Sequence, residues 1–373
     1  MNKTIYIRFG FVALILAVIV VSVNAGRPHK LTLGGLFPMT GALASYGTYC
    51  KQGAELAVDD AIRSGLIKKD DITLDIEDGA GDPAKSIAAF RAMLLKNKPV
   101  AVIPVTSGVI LAMKPIANQE HVVLVNASAV SVDIEDAQDY VFSILPNANT
   151  EGAFLADFAY SQGKRNMAII LRNDASGISF ANAFEKSFTK LGGKILYKES
   201  HEPKANDFRS YISKLKVDNQ IDAVFVASLG PEVATFLKQA HELSFDRQAY
   251  AYTTFYSPTV LKMAGPAANG VYFSAPVFNA LSEDRVAVDL RMKLIKKYNT
   301  DDTNYYVASH YDATMLILLA ISKGNKSAES IKNYISNVGI YNGISGQVVF
   351  DKNGQGVIPL KMYTVKNGQF SAI

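Results

Sequence analysis

From residue 31 to about residue 276, short apolar runs alternate with longer amphipathic stretches, and this alternation limits the chain to few architectures. The runs at 31–36, 72–77, 100–105, 122–126 and 140–144 read as buried strands, because short runs rich in apolar and β-branched residues suit a covered sheet. Between them, 46–63, 83–97 and 108–118 read as helices. In the second of these, Ile87, Phe90, Met93 and Leu94 share a face, and Asp82 followed by Pro83 supplies an N-cap and a proline at the first helical position. The pattern then restarts, with strands at 167–171, 194–199, 223–227 and 249–252 and helices at 150–162, 176–191, 207–216 and 231–243.

Strand–helix alternation predicts parallel sheets covered by helices, and two series predict two Rossmann-like α/β lobes. After a run at 271–278 the order changes to helices at 284–298, 305–323 and 327–338, then strands at 347–350 and 360–365. Helices without strands of their own must pack on a sheet already made. The chain is therefore expected to return to the first lobe and end in the second. This puts lobe 1 at 26–147 plus 277–344 and lobe 2 at 148–276 plus 345–373, with crossings near 146–149, 275–280 and 343–350. Three crossings make a hinge.

The N-terminus reads as a secretory signal over 1–25. Lys3 and Arg8 precede an almost unbroken apolar run at 9–23, and Val23-Asn24-Ala25 fits a signal-peptidase site. An uncleaved anchor is the competing reading, but the run is short for a membrane span. Export of this kind places the mature protein in the periplasm. No cysteine follows the run, which argues against lipoprotein processing. Lys3 and Arg8 supply two of the four net positive charges, and no cluster of five Lys or Arg occurs, so nucleic acid is a poor partner. Cys50 is the only cysteine, so no internal disulfide forms. Within its helix it reads as a small buried hydrophobe, with a reactive thiol as the alternative.

No catalytic or metal motif emerges. His29, His121, His201, His241 and His310 are scattered without ligand spacing. There is no G-x-S-x-G elbow, and the glycines at 34, 35 and 41 fit neither dinucleotide nor P-loop patterns. The chain is read as a binder, with no cofactor implied. In parallel sheets ligands sit beyond the carboxyl ends of strands, which selects the loops at 37–46, 106–108, 127–131, 173–177, 228–231 and 253–257. Thr106-Ser107-Gly108 opens a helix after a buried strand, a ready site for a carboxylate. The plainer reading is that Thr106 or Ser107 merely caps that helix.

At these residues the chain resembles the type I periplasmic binding proteins, the leucine/isoleucine/valine-binding branch that serves ABC importers. The resemblance runs in order through Gly35–Gly47, Gln52–Ala57, Asp82-Pro83, Gly270-Val271-Tyr272, Tyr311-Asp312-Ala313 and Ser345–Gly354. It implies capture of a small solute by hinge closure and delivery to a membrane permease. The same fold in a sensor is the alternative; an enzyme or a structural envelope protein is a weaker one. The resemblance places Tyr46, Thr106, Ser107, Ser128, Val130, Ser176, Leu229, Thr253 and Thr254 at ligand positions. Ser107 takes the ligand carboxylate. Thr253 or Thr254 stands where amino-acid binders place an acid against the ammonium, and Val130 stands where the family often has a threonine whose oxygen meets that ammonium, a contact valine cannot make. Asp174, in the neighbouring loop, is a candidate substitute that nothing in the sequence puts in reach. The expected ligand is accordingly an amide, carboxylate or aromatic acid as readily as an amino acid, stacked on Tyr46 with Phe255 or Tyr256.

Overall fold

The computed structural model describes residues 30–136, 139–278 and 282–373, so the expected signal segment at 1–25 lies outside the described residues. The first series folds as β1 (Leu31–Phe37), α1 (Ala44–Arg63), β2 (Ile72–Asp78), α2 (Pro83–Asn97), β3 (Ala101–Pro104), α3 (Ser107–Glu120), β4 (Val123–Asn126) and β5 (Val141–Ser143). The five strands are parallel in the order β2-β1-β3-β4-β5. Period-two alternation sorts their side chains onto two faces. Leu33, Ile103 and Val125 go to one apolar layer, and Leu36, Val102 and Leu124 go to the other with α2 and α3. The Asp82 carboxylate caps α2 through Lys85 N at 3.0 Å.

The second series gives α4 (Ala148–Ser161), β6 (Asn166–Arg172), α5 (Ala175–Lys190), β7 (Lys194–His201), α6 (Arg209–Lys216), β8 (Ala223–Ala227), α7 (Gly230–Glu242), β9 (Gln248–Ala251), a short α8 (Pro258–Ala264) and β10 (Tyr272–Pro276). Met167, Ile169 and Phe225 pack under α4 and α5, while Ile170, Val224 and Val226 pack under α6 and α7. Burying side chains of this size contributes roughly 1.5–3 kcal/mol each.

The remainder comprises α9 (Arg285–Tyr298), α10 (Tyr305–Ser322), α11 (Ala328–Asn337), β11 (Ile340–Asn342), β12 (Gln347–Phe350), β13 (Gly356–Val357), β14 (Leu360–Lys366) and β15 (Gln369–Ala372). α10 is buried almost all round and lies against α1. A Cβ on Gly53 would stand 2.2 Å from the Val307 carbonyl oxygen, so glycine there permits the close approach. Lys293 joins Asp60 at 2.6 Å, and the Tyr298 hydroxyl donates to Glu55 at 2.6 Å. No helix among the described residues is long and apolar enough to cross a membrane.

One boundary differs from expectation. β11, β12 and β13 form their own antiparallel sheet, and Val348 and Ile358 pack in the first lobe. The third crossing therefore falls at 358–360, not 343–350, and only β14 and β15 join the second sheet, in the order β15-β14-β10-β9-β8-β6-β7. Alternation in 347–350 marks a strand but not the sheet that receives it. The crossings are tied side by side. Gln355 Nε2 donates to the Leu145 carbonyl, and Val277 N donates to the Pro359 carbonyl at 3.1 Å.

Candidate functional site

The carboxyl ends of the two sheets face each other, and the lobes are closed on one another. The Tyr46 hydroxyl donates to the Thr254 carbonyl at 2.9 Å. The Tyr49 hydroxyl lies 2.6 Å from Thr259 Oγ1 and donates to Asp302 at 2.5 Å, and the Ser131 and Ser179 hydroxyls are 3.2 Å apart. Gly230 sits in this seam. A Cβ there would lie 2.3 Å from the Tyr46 hydroxyl and 2.5 Å from the Thr254 carbonyl oxygen.

The first-lobe wall is built at the start of α3. Thr106 holds φ +74° and ψ 141°, a rare backbone for a β-branched residue, and its side chain makes no capping bond. Neither Thr106 nor Ser107 acts as the simple helix cap that the sequence allowed. Ser107 is buried, and its Oγ accepts from Val130 N at 3.3 Å and Ser131 N at 3.2 Å. A hydroxyl that accepts twice keeps its proton for a third partner. Ser128 belongs to the same loop, its backbone N–H held by Asn126 Oδ1 at 3.1 Å, and its hydroxyl is buried without a partner. Val130 contributes differently. Its side chain joins the apolar cluster beneath α4, and its carbonyl accepts from Ala148 N at 2.7 Å.

On the second-lobe wall, the Ser176 hydroxyl lies 3.2 Å from the Tyr252 hydroxyl. Leu229 is half-buried at the head of α7, where its N–H donates to Glu232 at 3.2 Å. Thr254 Oγ1 donates to the Ser228 carbonyl at 2.9 Å. Two expectations fail here. Phe255 and Tyr256 are packed in the second core against Phe273 and Phe370, so they offer no face for stacking a ligand. Asp174 is already engaged, its Oδ2 with Arg172 at 2.5 Å and its Oδ1 with Ser176 N and Gly177 N.

An acid from α4 lies against Thr253. Thr253 donates to Glu151 Oε1 from its backbone N at 3.0 Å and from Oγ1 at 2.6 Å, and Ser274 Oγ donates to the same oxygen at 2.7 Å. Burial pushes the Glu151 carboxyl up to about 7, against the lowering effect of these bonds. Sequence reasoning missed it because an acid in a first helical turn reads as a partner for the helix dipole.

Tyr46 meets Tyr306 edge-on at 4.9 Å, and burial followed by neighbouring Tyr252 holds the Tyr46 hydroxyl well above its ordinary range. The wall hydroxyls are thus neutral hydrogen-bonding groups. His201 Nε2 lies 2.7 Å from Ser228 Oγ, yet its Nδ1 faces the Glu202 carbonyl and Ser228 is fully buried, so the pair has neither an orienting acid nor access to a substrate. No cluster of three His, Cys, Asp or Glu that suits a metal occurs among the described residues. Cys50 is free and fully buried, as a core side chain. Two surface cavities of about 250 and 340 Å³ bring together none of the predicted residues.

Comparison with known proteins agrees with this geometry. The sequence profile described as periplasmic binding protein matches residues 30–369. The Leu/Ile/Val-binding protein BraC3 of Rhizobium johnstonii is 26% identical over 216 residues, which is 57% of this chain and 59% of that relative, so the alignment spans about three-fifths of its length. Among solved structures, the branched-chain amino acid transporter substrate binding protein LivJ from Streptococcus pneumoniae, in complex with isoleucine, superposes with a TM-score of 0.84 at 24% identity, covering 92% of this chain and 99% of its own. A solute binding protein of an ABC transporter from R. palustris, in complex with benzoate, has a TM-score of 0.83 at 18% identity, covering 92% and 95%.

Proposed function

We propose, from the premise that the chain belongs to the periplasmic binding protein family, that it is the extracytoplasmic solute-binding subunit of an ABC importer. It takes a small polar solute between its lobes and presents the closed form to a membrane permease. One observation carries this reading. The strained, uncapped start of α3 stands beside the Ser107 and Ser128 hydroxyls, at a seam that Tyr46 and Thr254 close from opposite lobes. Donors lacking acceptors at a closable seam describe a receptor for a small molecule.

The solute class is amino acid, amide or carboxylate, since each offers an oxygen to the α3 end. The names of the relatives and the isoleucine- and benzoate-bound structures lie within that range. Closure follows from differential affinity, because a solute that binds both states equally shifts nothing. A micromolar site needs about −8 kcal/mol, which a few buried hydrogen bonds and an aromatic face supply. A thermal-shift screen of amino acids, amides, short carboxylates and aromatic acids tests the reading. A binding solute raises the melting temperature, and small-angle scattering should then show compaction. No shift with any of the four classes overturns it.

A further inference from the structure

At the rim of the seam the lobes meet on a hydrogen-bonded chain of three side chains. Tyr49, one turn beyond Tyr46 on α1, donates its hydroxyl proton to Asp302 Oδ2 at 2.5 Å, and the same phenol oxygen lies 2.6 Å from Thr259 Oγ1. A phenol has one proton, so with that proton given to the carboxylate its oxygen accepts from the Thr259 hydroxyl. Burial, followed by the Asp302 bond, pushes the Tyr49 hydroxyl up to about 12, so the proton stays in place at neutral pH. Tyr49 and Asp302 belong to the first lobe and Thr259 to the second. Pro258 and Asp301, next to these partners in the chain, are exposed, which puts the contact at the outer edge of the seam. Its members are not the wall residues Ser107, Ser128 and Ser176.

Two of the three members sit within one lobe and are fixed there. Asp302 is held from both sides, its N–H donating to Thr300 Oγ1 at 3.2 Å and its carbonyl accepting from Asn304 Nδ2 at 3.1 Å. Asn304 in turn caps α10, its Oδ1 accepting from Tyr306 N and Val307 N. α10 packs on α1 at the close approach of Gly53 to Val307, so Tyr49 and Asp302 are carried by one pair of helices. Thr259 rides on α8, whose Val260 and Ala264 are buried in the second core. Closing the lobes at this point therefore adds one bond, from Thr259 to Tyr49, onto an acceptor already in place. A hydroxyl that donates to a carboxylate is itself the better acceptor, because hydrogen bonds in a chain polarise one another. The dependence is mutual. Asp302 Oδ1 is buried without a partner, and Tyr49 is the recorded donor to Oδ2.

We infer that Tyr49, backed by Asp302, is a rim latch that shifts the balance between open and closed lobes by the same factor whatever solute lies between them. The inference rests on the solute-binding reading and adds to it a control of closure separate from the cleft wall. A solute that does not touch the latch leaves its contribution unchanged, so the two effects on closure multiply.

The test reads closure directly. Spin labels on Lys69→Cys and Lys238→Cys, exposed sites on opposite lobes, report open and closed distances by pulsed electron spin resonance, and the fully buried Cys50 stays unlabelled. The protein is measured alone, with isoleucine and with benzoate. Tyr49→Phe keeps the ring and should lower the ratio of closed to open molecules about tenfold. Thr259→Val, at a half-buried position, removes only the cross-lobe donor and should lower it about fivefold. Asp302→Asn keeps an acceptor but removes the charge, and its effect should be smaller than that of Tyr49→Phe. Each factor should be the same in all three conditions. Should Tyr49→Phe fail to fold, Thr259→Val decides alone. A lowered melting temperature with an unchanged ratio marks a purely structural contact and overturns the inference. So does a factor that differs between the solutes, which would put Tyr49 in the solute site. A wild type with no closed population in any condition overturns it as well; a positive thermal-shift screen then leaves the solute-binding reading standing, and a silent one removes both.

Discussion

Where β3 gives way to α3 in the first lobe, Thr106 is turned to φ +74° and the helix start carries no side-chain cap. At another junction, between β6 and α5 in the second lobe, Asp174 accepts from Ser176 N and Gly177 N and is itself held by Arg172. One strand–helix junction is thus open and the other sealed. A sealed junction stabilises its lobe. An open one retains N–H groups and a positive helix end.

The largest expected effect sharpens the charge side of this contrast. The folded-state pKa of Glu151 is raised from an ordinary 4.5 to about 7, so its contribution favours the folded state below 4.5 and is lost as pH rises through 7. Removing that titration should be worth roughly 3 kcal/mol at pH 8. Denaturant unfolding of Glu151→Gln should therefore lose less stability than wild type between pH 4.5 and 8, and parallel pH profiles would refute the assignment. Gly230→Ala comes next. The new Cβ meets the Tyr46 hydroxyl and the Thr254 carbonyl, so closure is blocked at a cost of about 1–3 kcal/mol, read as lost affinity and an open form in scattering. Ser107→Ala should weaken solute binding by slightly more than 1 kcal/mol in calorimetry, breaking the open junction alone. Asp174→Ala should lower stability by about 1 kcal/mol with affinity nearly unchanged. Were the two variants to exchange these signatures, the open-versus-sealed distinction would be wrong.

Local patterns in the sequence carried the fold. The fully buried AVIP of β3 and AVFVA of β8 read as strands because their apolar runs are short and bounded by turn residues. The Asp82-Pro83 start of α2 was legible for the same reason. Groups whose role is set by distant partners were not. Glu151 acquires its environment from Thr253 and Ser274, more than a hundred residues on. Phe255 and Tyr256 sit in a loop that promised access to the cleft, and only the packing of Phe273 and Phe370 shows that they belong to the core. The unusual backbone of Thr106 leaves no mark in composition. The late strands misled because alternation identifies a strand and is silent about its neighbours.

β10 gains its second neighbour only from β14, and β14 in turn carries β15. Along the time axis of synthesis, this topology is a delay. The first sheet waits for α10 to cover α1, and the second keeps a bare edge until residues 360–372 have been made. Neither sheet is fully covered until these late elements have been made. The same delay makes the final strands indispensable. Trimming them would expose the β10 edge to other chains and turn a small truncation into an aggregation fault.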